Sequence, residues 1–258
     1  MTEDSGVSRS LLLLAAGATL GVGAYVAAEK LLLKRGMPAA QPLLKPQHVA
    51  GADALVDGEI LARVEALYGA DGLKRLRESF VVVIGLGGVG SHCAMALMRS
   101  GVGRVRLVDF DQVTVSSLNR HACATREDVG KGKCDVLKDF FARVMPSTHV
   151  EAIKEVFNEQ TAAALLSGNP DFVVDAIDNR VTKAHLIKCC VDQQLPVISC
   201  MGAGARIDPS RVQIGLLTQT RNDPLCKGNL EMVLLKQQEQ LTTFIPFLCS
   251  VDSFSPYF

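Results

Sequence analysis

The residues that could do chemistry begin with Gly85-Leu86-Gly87-Gly88-Val89-Gly90, in a chain of 258 residues. Glycines in this spacing permit a tight turn at Gly85, backbone approach to a phosphate at Gly87 and close helix packing at Gly90, while the helix N-terminus that follows favours an anion. Asp109 lies 19 residues after Gly90, where a carboxylate can accept both hydroxyls of a ribose. The loop Phe110 to His121 then supplies an amide at Asn119 and a guanidinium at Arg120, which can reach a phosphate. Gly130-Lys131-Gly132-Lys133 puts ammonium groups at the start of a helix, where a cation is disfavoured unless an anion sits beside it. Lys133 therefore reads as a phosphate ligand and Lys131 as a solvated charge. Asp178, in Asp175-Ala176-Ile177-Asp178-Asn179, can offer hard oxygens to a magnesium ion. A nicotinamide dehydrogenase would share the glycines and the ribose acid, but it would leave Arg120, Lys133 and Asp178 without a task.

These groups need a scaffold, and the pattern around them is that of an α/β protein with a doubly wound, mostly parallel, Rossmann-like sheet. The β-branched run Phe80–Ile84 feeds the glycine turn, and a helical pattern follows from Ser91 to Leu97. Val105–Val108 is a second strand. Alternation continues with a helix over 131–144, a strand over 150–153, a helix over 159–166, a strand over 172–176, a helix over 181–193 and a strand over 197–200. Residues 57–78 read as two short helices broken at Tyr68-Gly69. Asp111 reads equally as a loop cap through local hydrogen bonds and as a ligand. Asp175 reads as a cap on its strand end.

With 27 Lys plus Arg against 27 Asp plus Glu, the net charge is zero, which excludes a global basic field; RNA contact would have to come from a local patch. The eight cysteines, at 93, 123, 134, 189, 190, 200, 226 and 249, include no pair separated by two residues, so a zinc ribbon or thioredoxin site is excluded. They read as reduced packing thiols. Cys200 ends a strand beside the site, but nothing in the sequence lowers its pKa. Leu11–Ala28 runs 18 residues without a charge, roughly 27 Å as a helix, and Lys30, Lys34 and Arg35 follow it. Residues 1–36 thus read as an N-terminal transmembrane anchor that leaves the rest on the cytosolic side. Glu3, Asp4 and the scarcity of Arg oppose a signal or transit peptide. Residues 37–56, with Pro38, Pro42 and Pro46, are a linker, and 57–227 the domain.

The Gly85–Ser91 turn, the Asp109–His121 loop, Lys133 and the Asp175–Asn179 strand end together resemble the ATP-dependent adenylyltransferases related to ubiquitin-activating enzymes and to the thiamine and molybdopterin sulfur-carrier activators. Ser116–His121, Cys200–Pro209 and Asn222–Leu225 are similar to one branch, the tRNA threonylcarbamoyladenosine dehydratases. The resemblance implies ATP with Mg2+, adenylation of the threonylcarbamoyl carboxylate on a tRNA anticodon-loop adenosine, and ring closure that expels AMP. It implies catalytic roles for Arg120 and Lys133, magnesium at Asp178, nucleotide contacts at Gly85, Gly87, Gly88, Gly90, Asp109, Asp111 and Asn119, and an arginine, matched by Arg63, that reaches across a homodimer. Relatives with such an N-terminal segment imply the outer mitochondrial membrane.

Two departures stand out. Ser117 occupies a position where many relatives have asparagine. Residues 228–258 show none of the basic helix and further strands the family would continue with, so the chain reads as truncated or divergent there. Activation of a ubiquitin-like or sulfur-carrier protein, and a catalytically inactive nucleotide-binding relative, are the alternatives.

Overall fold

The computed structural model describes residues 52–202 and two further strands, 213–216 and 246–249. The apolar run Leu11–Ala28, most of the linker, and the segments Ala203–Pro209 and Asn222–Leu225 lie outside the described residues. In chain order the elements are α1 (Ala52–Glu78), β1 (Phe80–Ile84), α2 (Gly88–Arg99), β2 (Arg104–Val108), α3 (Lys133–Val144), β3 (His149–Ile153), α4 (Ala162–Leu165), β4 (Phe172–Asp175), α5 (Arg180–Asp192), β5 (Val197–Cys200), β6 (Gln213–Leu216) and β7 (Pro246–Cys249). Among the described residues no helix is long and apolar enough to cross a membrane.

The strands form one sheet in the order β3-β2-β1-β4-β5-β7-β6. All neighbours pair in parallel except β6 with β7. β1 is buried along its whole length, because helices cover both faces of a parallel sheet and a continuous apolar run satisfies both. Its side chains divide by strand periodicity. Phe80, Val82 and Ile84 join a core with Leu186, Ile187 and Cys190 of α5, while Val81 and Val83 join a second core with Ala94 and Met98 of α2 and Leu137 and Phe141 of α3. Leu61 brings α1 onto that second face. Arg104 and Arg106 of β2 meet Glu151 of β3 at 2.5 and 2.8 Å, and both guanidinium groups lie over the Phe80 ring.

Several boundaries differ from the sequence expectation for local reasons. α1 runs as 27 residues with non-helical dihedrals at Gly69, so the expected break is there within one kinked element. α3 starts at Lys133 rather than Lys131, because Gly130 and Lys131 bond the backbone of Val113 and Gln112 bridges to Gly132 before the helix begins. α4 starts only at Ala162: the Asn158 side chain accepts from the Gln160 and Thr161 amides and holds a turn there instead. The tail corrects the expectation of no further strands after residue 227, since β7 pairs with β5 and β6. Four residues headed by proline carry too little periodicity to be seen in sequence, and proline is tolerated as the first residue of a strand.

The turn after β1 leaves no room for side chains at two of its glycines. Gly85 has φ +89°, and a methyl group on it would stand 2.7 Å from the Ala176 carbonyl oxygen. A methyl on Gly90 would stand 1.8 Å from the Gly85 carbonyl oxygen, whereas one on Gly87 meets nothing within 4 Å. Gly90→Ala is expected to destabilise the protein by more than about 2 kcal/mol and Gly87→Ala by less than about 1 kcal/mol, compared by urea unfolding. Equal losses would contradict this geometry.

Candidate nucleotide site

The carboxyl ends of β1, β2, β4 and β5 open into one cleft of about 960 Å³. It lies where the strand order reverses between β1 and β4, the place where doubly wound sheets hold ligands. Gly85, Gly87, Gly88, Asp109, Asp111, Arg120, Lys133 and Asp178 all line it. Gly90 does not; it is buried beneath the turn. Asn119 is exposed and outside the lining, with its Oδ1 accepting from Arg120 Nη1 at 3.2 Å. Arg63 is exposed on α1 and also outside the lining of its own chain's cleft.

Asp109 is buried, and each of its carboxylate oxygens accepts one backbone amide. Its Oδ2 accepts the Leu86 amide at 2.6 Å and its Oδ1 the Asp111 amide at 2.8 Å. A carboxylate has about four lone-pair sites, so capacity remains for ribose hydroxyls. The loop cap is thus Asp109 rather than Asp111. The Asp111 carboxylate instead holds Lys133 Nζ at 2.6 Å, with Asp109 Oδ2 at 3.9 Å, and this pair supplies the anion that a lysine in the first turn of a helix requires. Lys131 is exposed and pairs with Asp128.

Arg120 lies across the glycine turn: a methyl on Gly88 would touch its aliphatic stem at 3.4 Å. Its Nη1 donates to the Ser116 carbonyl at 2.7 Å, and no carboxylate pairs with it among the described residues. The first turn of α2 latches this loop. Ser91 Oγ accepts the Ala122 amide at 3.1 Å and His92 Nε2 lies 3.2 Å from the Arg120 carbonyl. Sequence reading passed over both side chains, whose only signal was their place directly after the glycines. It also passed over Phe110 and Val156, exposed apolar side chains that line the cleft.

Asp178 is exposed, and it has no ion pair among the described residues. No group of three or more potential metal ligands occurs among them. One free carboxylate facing a cleft fits Mg2+, which takes one or two carboxylates and completes its shell with phosphate oxygens and water. Asp175, read as a strand-end cap, is fully buried and ion-paired with Lys183. Burial pushes its carboxyl upward against the pull of the Lys183 ammonium, the Ser199 hydroxyl and the Ile177 amide. Cys200 lines the cleft, but burial pushes its thiol up to about 11.

His121 closes the Arg120 loop. Its Nδ1 accepts the Ala124 amide at 3.2 Å, leaving its hydrogen on Nε2, which is buried with no partner among the described residues. Burial, with the Lys133 charge nearby, lowers its pKa from 6.5 to about 4.

A Rossmann-like sheet that gathers a glycine turn, a guanidinium, an ammonium and a free carboxylate at its switch point has the architecture of nucleotide-binding α/β proteins. The chain belongs to the ThiF family, whose profile matches residues 61–224. It is 43% identical over 161 residues to tRNA threonylcarbamoyladenosine dehydratase 2 of Saccharomyces cerevisiae, covering 62% of this chain and 36% of that protein. It is 42% identical over 166 residues to the dehydratase of Bacillus subtilis, covering 64% of this chain and 65% of that one. The chain thus spans between about a third and two thirds of these relatives. The fold is similar to that of the Escherichia coli tRNA N6-threonylcarbamoyladenosine dehydratase TcdA solved in complex with ATP, at a TM-score of 0.70 and 30% identity, over 75% of this chain and 82% of that one.

The folded His121 ring binds its proton less tightly than the unfolded one. Its contribution to stability is therefore complete above pH 6.5 and is lost as pH falls toward 4. Urea unfolding should show wild type losing up to about 3 kcal/mol more than His121→Asn between pH 7 and 4. Parallel pH profiles would remove His121 from that role.

Proposed function

We propose that the chain is an ATP-dependent tRNA threonylcarbamoyladenosine dehydratase that cyclises its substrate through a carboxyl-adenylate. The observation that carries this reading is one cleft holding the glycine turn, Arg120, Lys133 and Asp178 together, in a chain similar to a dehydratase solved with ATP. In this reaction a carboxylate oxygen of the threonylcarbamoyl group attacks the α-phosphorus of ATP and the bond to pyrophosphate breaks. A heteroatom of the carbamoyl group then attacks the activated carbonyl and gives up its proton, the bond from that carbon to the adenylate oxygen breaks, and AMP leaves with that oxygen, a net loss of water from the nucleoside. Arg120 and Lys133 neutralise charge on the phosphates and hold the groups in line, which is most of what phosphoryl-type transfer asks of a protein. Asp109 accepts the ribose hydroxyls, and Phe110 and Val156 wall the base. Asp178 would hold Mg2+, whose charge adds to that of the two cations when it is bound.

Activation of a carrier protein through a thioester would ask for a reactive thiol. Burial raises the thiols of Cys93, Cys123, Cys134, Cys189, Cys190 and Cys200 above the ordinary value, which weighs against that reading. The full-length protein, incubated with ATP, Mg2+ and threonylcarbamoylated tRNA, should convert the anticodon-loop nucleoside to its cyclic form, read by mass spectrometry. Asp178→Ala and Arg120→Ala should each slow tRNA-dependent AMP formation by about 10²-fold or more with little change in thermal midpoint. ATP binding without conversion by the wild type would favour a non-catalytic relative, and adenylation of a carrier protein would favour an activator.

We also propose that residues 1–36 anchor the protein in a membrane, facing the cytosol and on the outer mitochondrial membrane, and that it acts as a homodimer in which Arg63 reaches the partner's triphosphate. The uncharged run with lysines behind it supports the first, and the exposure of Arg63 away from its own cleft supports the second. Deleting residues 1–36 should release a soluble protein that still binds ATP; continued sedimentation with membranes would contradict the anchor.

A further inference from the structure

Beneath the cleft lies an ionic cluster with no part in the scheme above. Lys183, on the second turn of α5, is fully buried, as are Asp175 at the end of β4 and Ser199 in β5. Its Nζ donates to Asp175 Oδ2 at 2.7 Å, to the Cys200 carbonyl at 2.8 Å and to Ser199 Oγ at 3.3 Å. Ser199 Oγ in turn donates to Asp175 Oδ2, and Asp175 Oδ1 accepts the Ile177 amide at 3.1 Å. All three donors of the ammonium are thus used, and both carboxylate oxygens are occupied.

Stability alone does not call for these residues here. A buried ion pair is often no better than well-packed apolar side chains of similar volume, because desolvation offsets the attraction between the charges. What the cluster does supply is direction. Its acceptors lie on two neighbouring strands, and both strands run straight into the cleft: β4 continues through Ala176 and Ile177 to Asp178, and β5 through Cys200 to Met201 and Gly202. The backbone joins in from the other side, since the Lys183 amide bonds the Asn179 carbonyl and the Asn179 side chain caps α5 through the Val181 and Thr182 amides. Asp178 therefore stands between two fixed points, the Ile177 amide held by Asp175 and the Asn179 cap held to the helix that carries Lys183.

We propose that Lys183 is a positioning residue for the nucleotide reaction: by bridging Asp175, Ser199 and the Cys200 carbonyl it sets the place of Asp178, and so of the metal-bearing end of the triphosphate, without touching either. The inference rests on the reading of Asp178 given above. Groups that orient a metal ligand from behind change metal affinity or activity by about 10- to 100-fold when removed, and small misplacements of reacting groups act on a similar scale.

The test uses the full chain with Lys183→Met/Asp175→Asn, which removes both charges while keeping an acceptor for the Ile177 amide, and with Lys183→Arg, which keeps the charge on a planar fork unable to converge on the three acceptors. ATP affinity without Mg2+ should stay within about 3-fold of wild type, since Arg120, Lys133 and Asp109 are untouched, while half-saturation by Mg2+ should rise about 10-fold or more. Single-turnover AMP formation at saturating ATP should fall about 30-fold or more, with KM for ATP little changed. Wild-type Mg2+ dependence and turnover in either folded variant would overturn the proposal, as would losses that merely track the folded fraction measured by circular dichroism. Should the double variant fail to fold, the arginine variant decides by the same split. Failure of the wild type to act on modified tRNA would overturn the functional reading alone, because the Mg2+ dependence of ATP binding still reports on Lys183.

Discussion

One residue, Asp109, joins three of the backbone segments around the cleft. Asp109 holds the Leu86 amide of the glycine turn with one oxygen and the Asp111 amide of the loop after β2 with the other, and the Asp109 amide bonds the Ile153 carbonyl at the end of β3. The turn after β1 therefore cannot open without breaking a charge-assisted bond in a nearly dry setting, where such bonds are strong. Gly85 reinforces the arrangement, since its carbonyl oxygen is pressed against Gly90 and the space beside its Cα is filled by Ala176. The remaining chemistry-bearing groups hang on this frame: Lys133 leans on Asp111, and Arg120 lies over Gly88.

The electrostatics of the cleft follow from that frame. Lys133 sits in the first turn of α3, an end that repels cations, and is held there by Asp111 at 2.6 Å. Its own side chain is about 10% exposed, whereas that of Asp111 is 48% exposed. The cation is thus fixed by burial and its counter-ion is half in water, so in the proposed reaction an arriving phosphate would compete with a partially solvated carboxylate for an ammonium already in place. Pre-placed charge of this kind needs little rearrangement when new charge develops beside it.

What could be seen in the sequence was what is local. Phe80–Ile84 followed by the glycines announces a buried strand and a phosphate-type turn within eleven residues, and β2 with Asp109 follows at a fixed distance. The strand at Pro246–Cys249 was not visible, because four residues cannot establish a period and the partners of Phe247 lie 48 and 32 residues earlier, at Ser199 and Gly215. The Asp175–Lys183–Ser199 cluster was hidden for a related reason. Asp175 and Ser199 are 24 residues apart and meet only because β4 and β5 pair in that register. His121 looked like the end of a motif, and its burial is a property of the folded loop. Asp111, ambiguous in sequence between cap and ligand, turned out to be a counter-ion, a role that depends on a helix starting 22 residues later.

The same reasoning separates positional chemistry from nucleophilic chemistry in this cleft. Cys200 is the one thiol among the described lining residues, and burial holds its pKa at about 11 although an ammonium stands nearby. That ammonium, Lys183, already gives its three hydrogens to Asp175, Ser199 and the Cys200 carbonyl, so none is left to stabilise a thiolate. At neutral pH the thiol then stays almost entirely protonated. A covalent route through sulfur would work against that deficit at every turnover. In the proposed reaction, attack by a carboxylate on a phosphorus would ask the protein for no nucleophile of its own, only for charge and alignment, which are the parts proposed for the glycine turn, Arg120, Lys133 and Asp178.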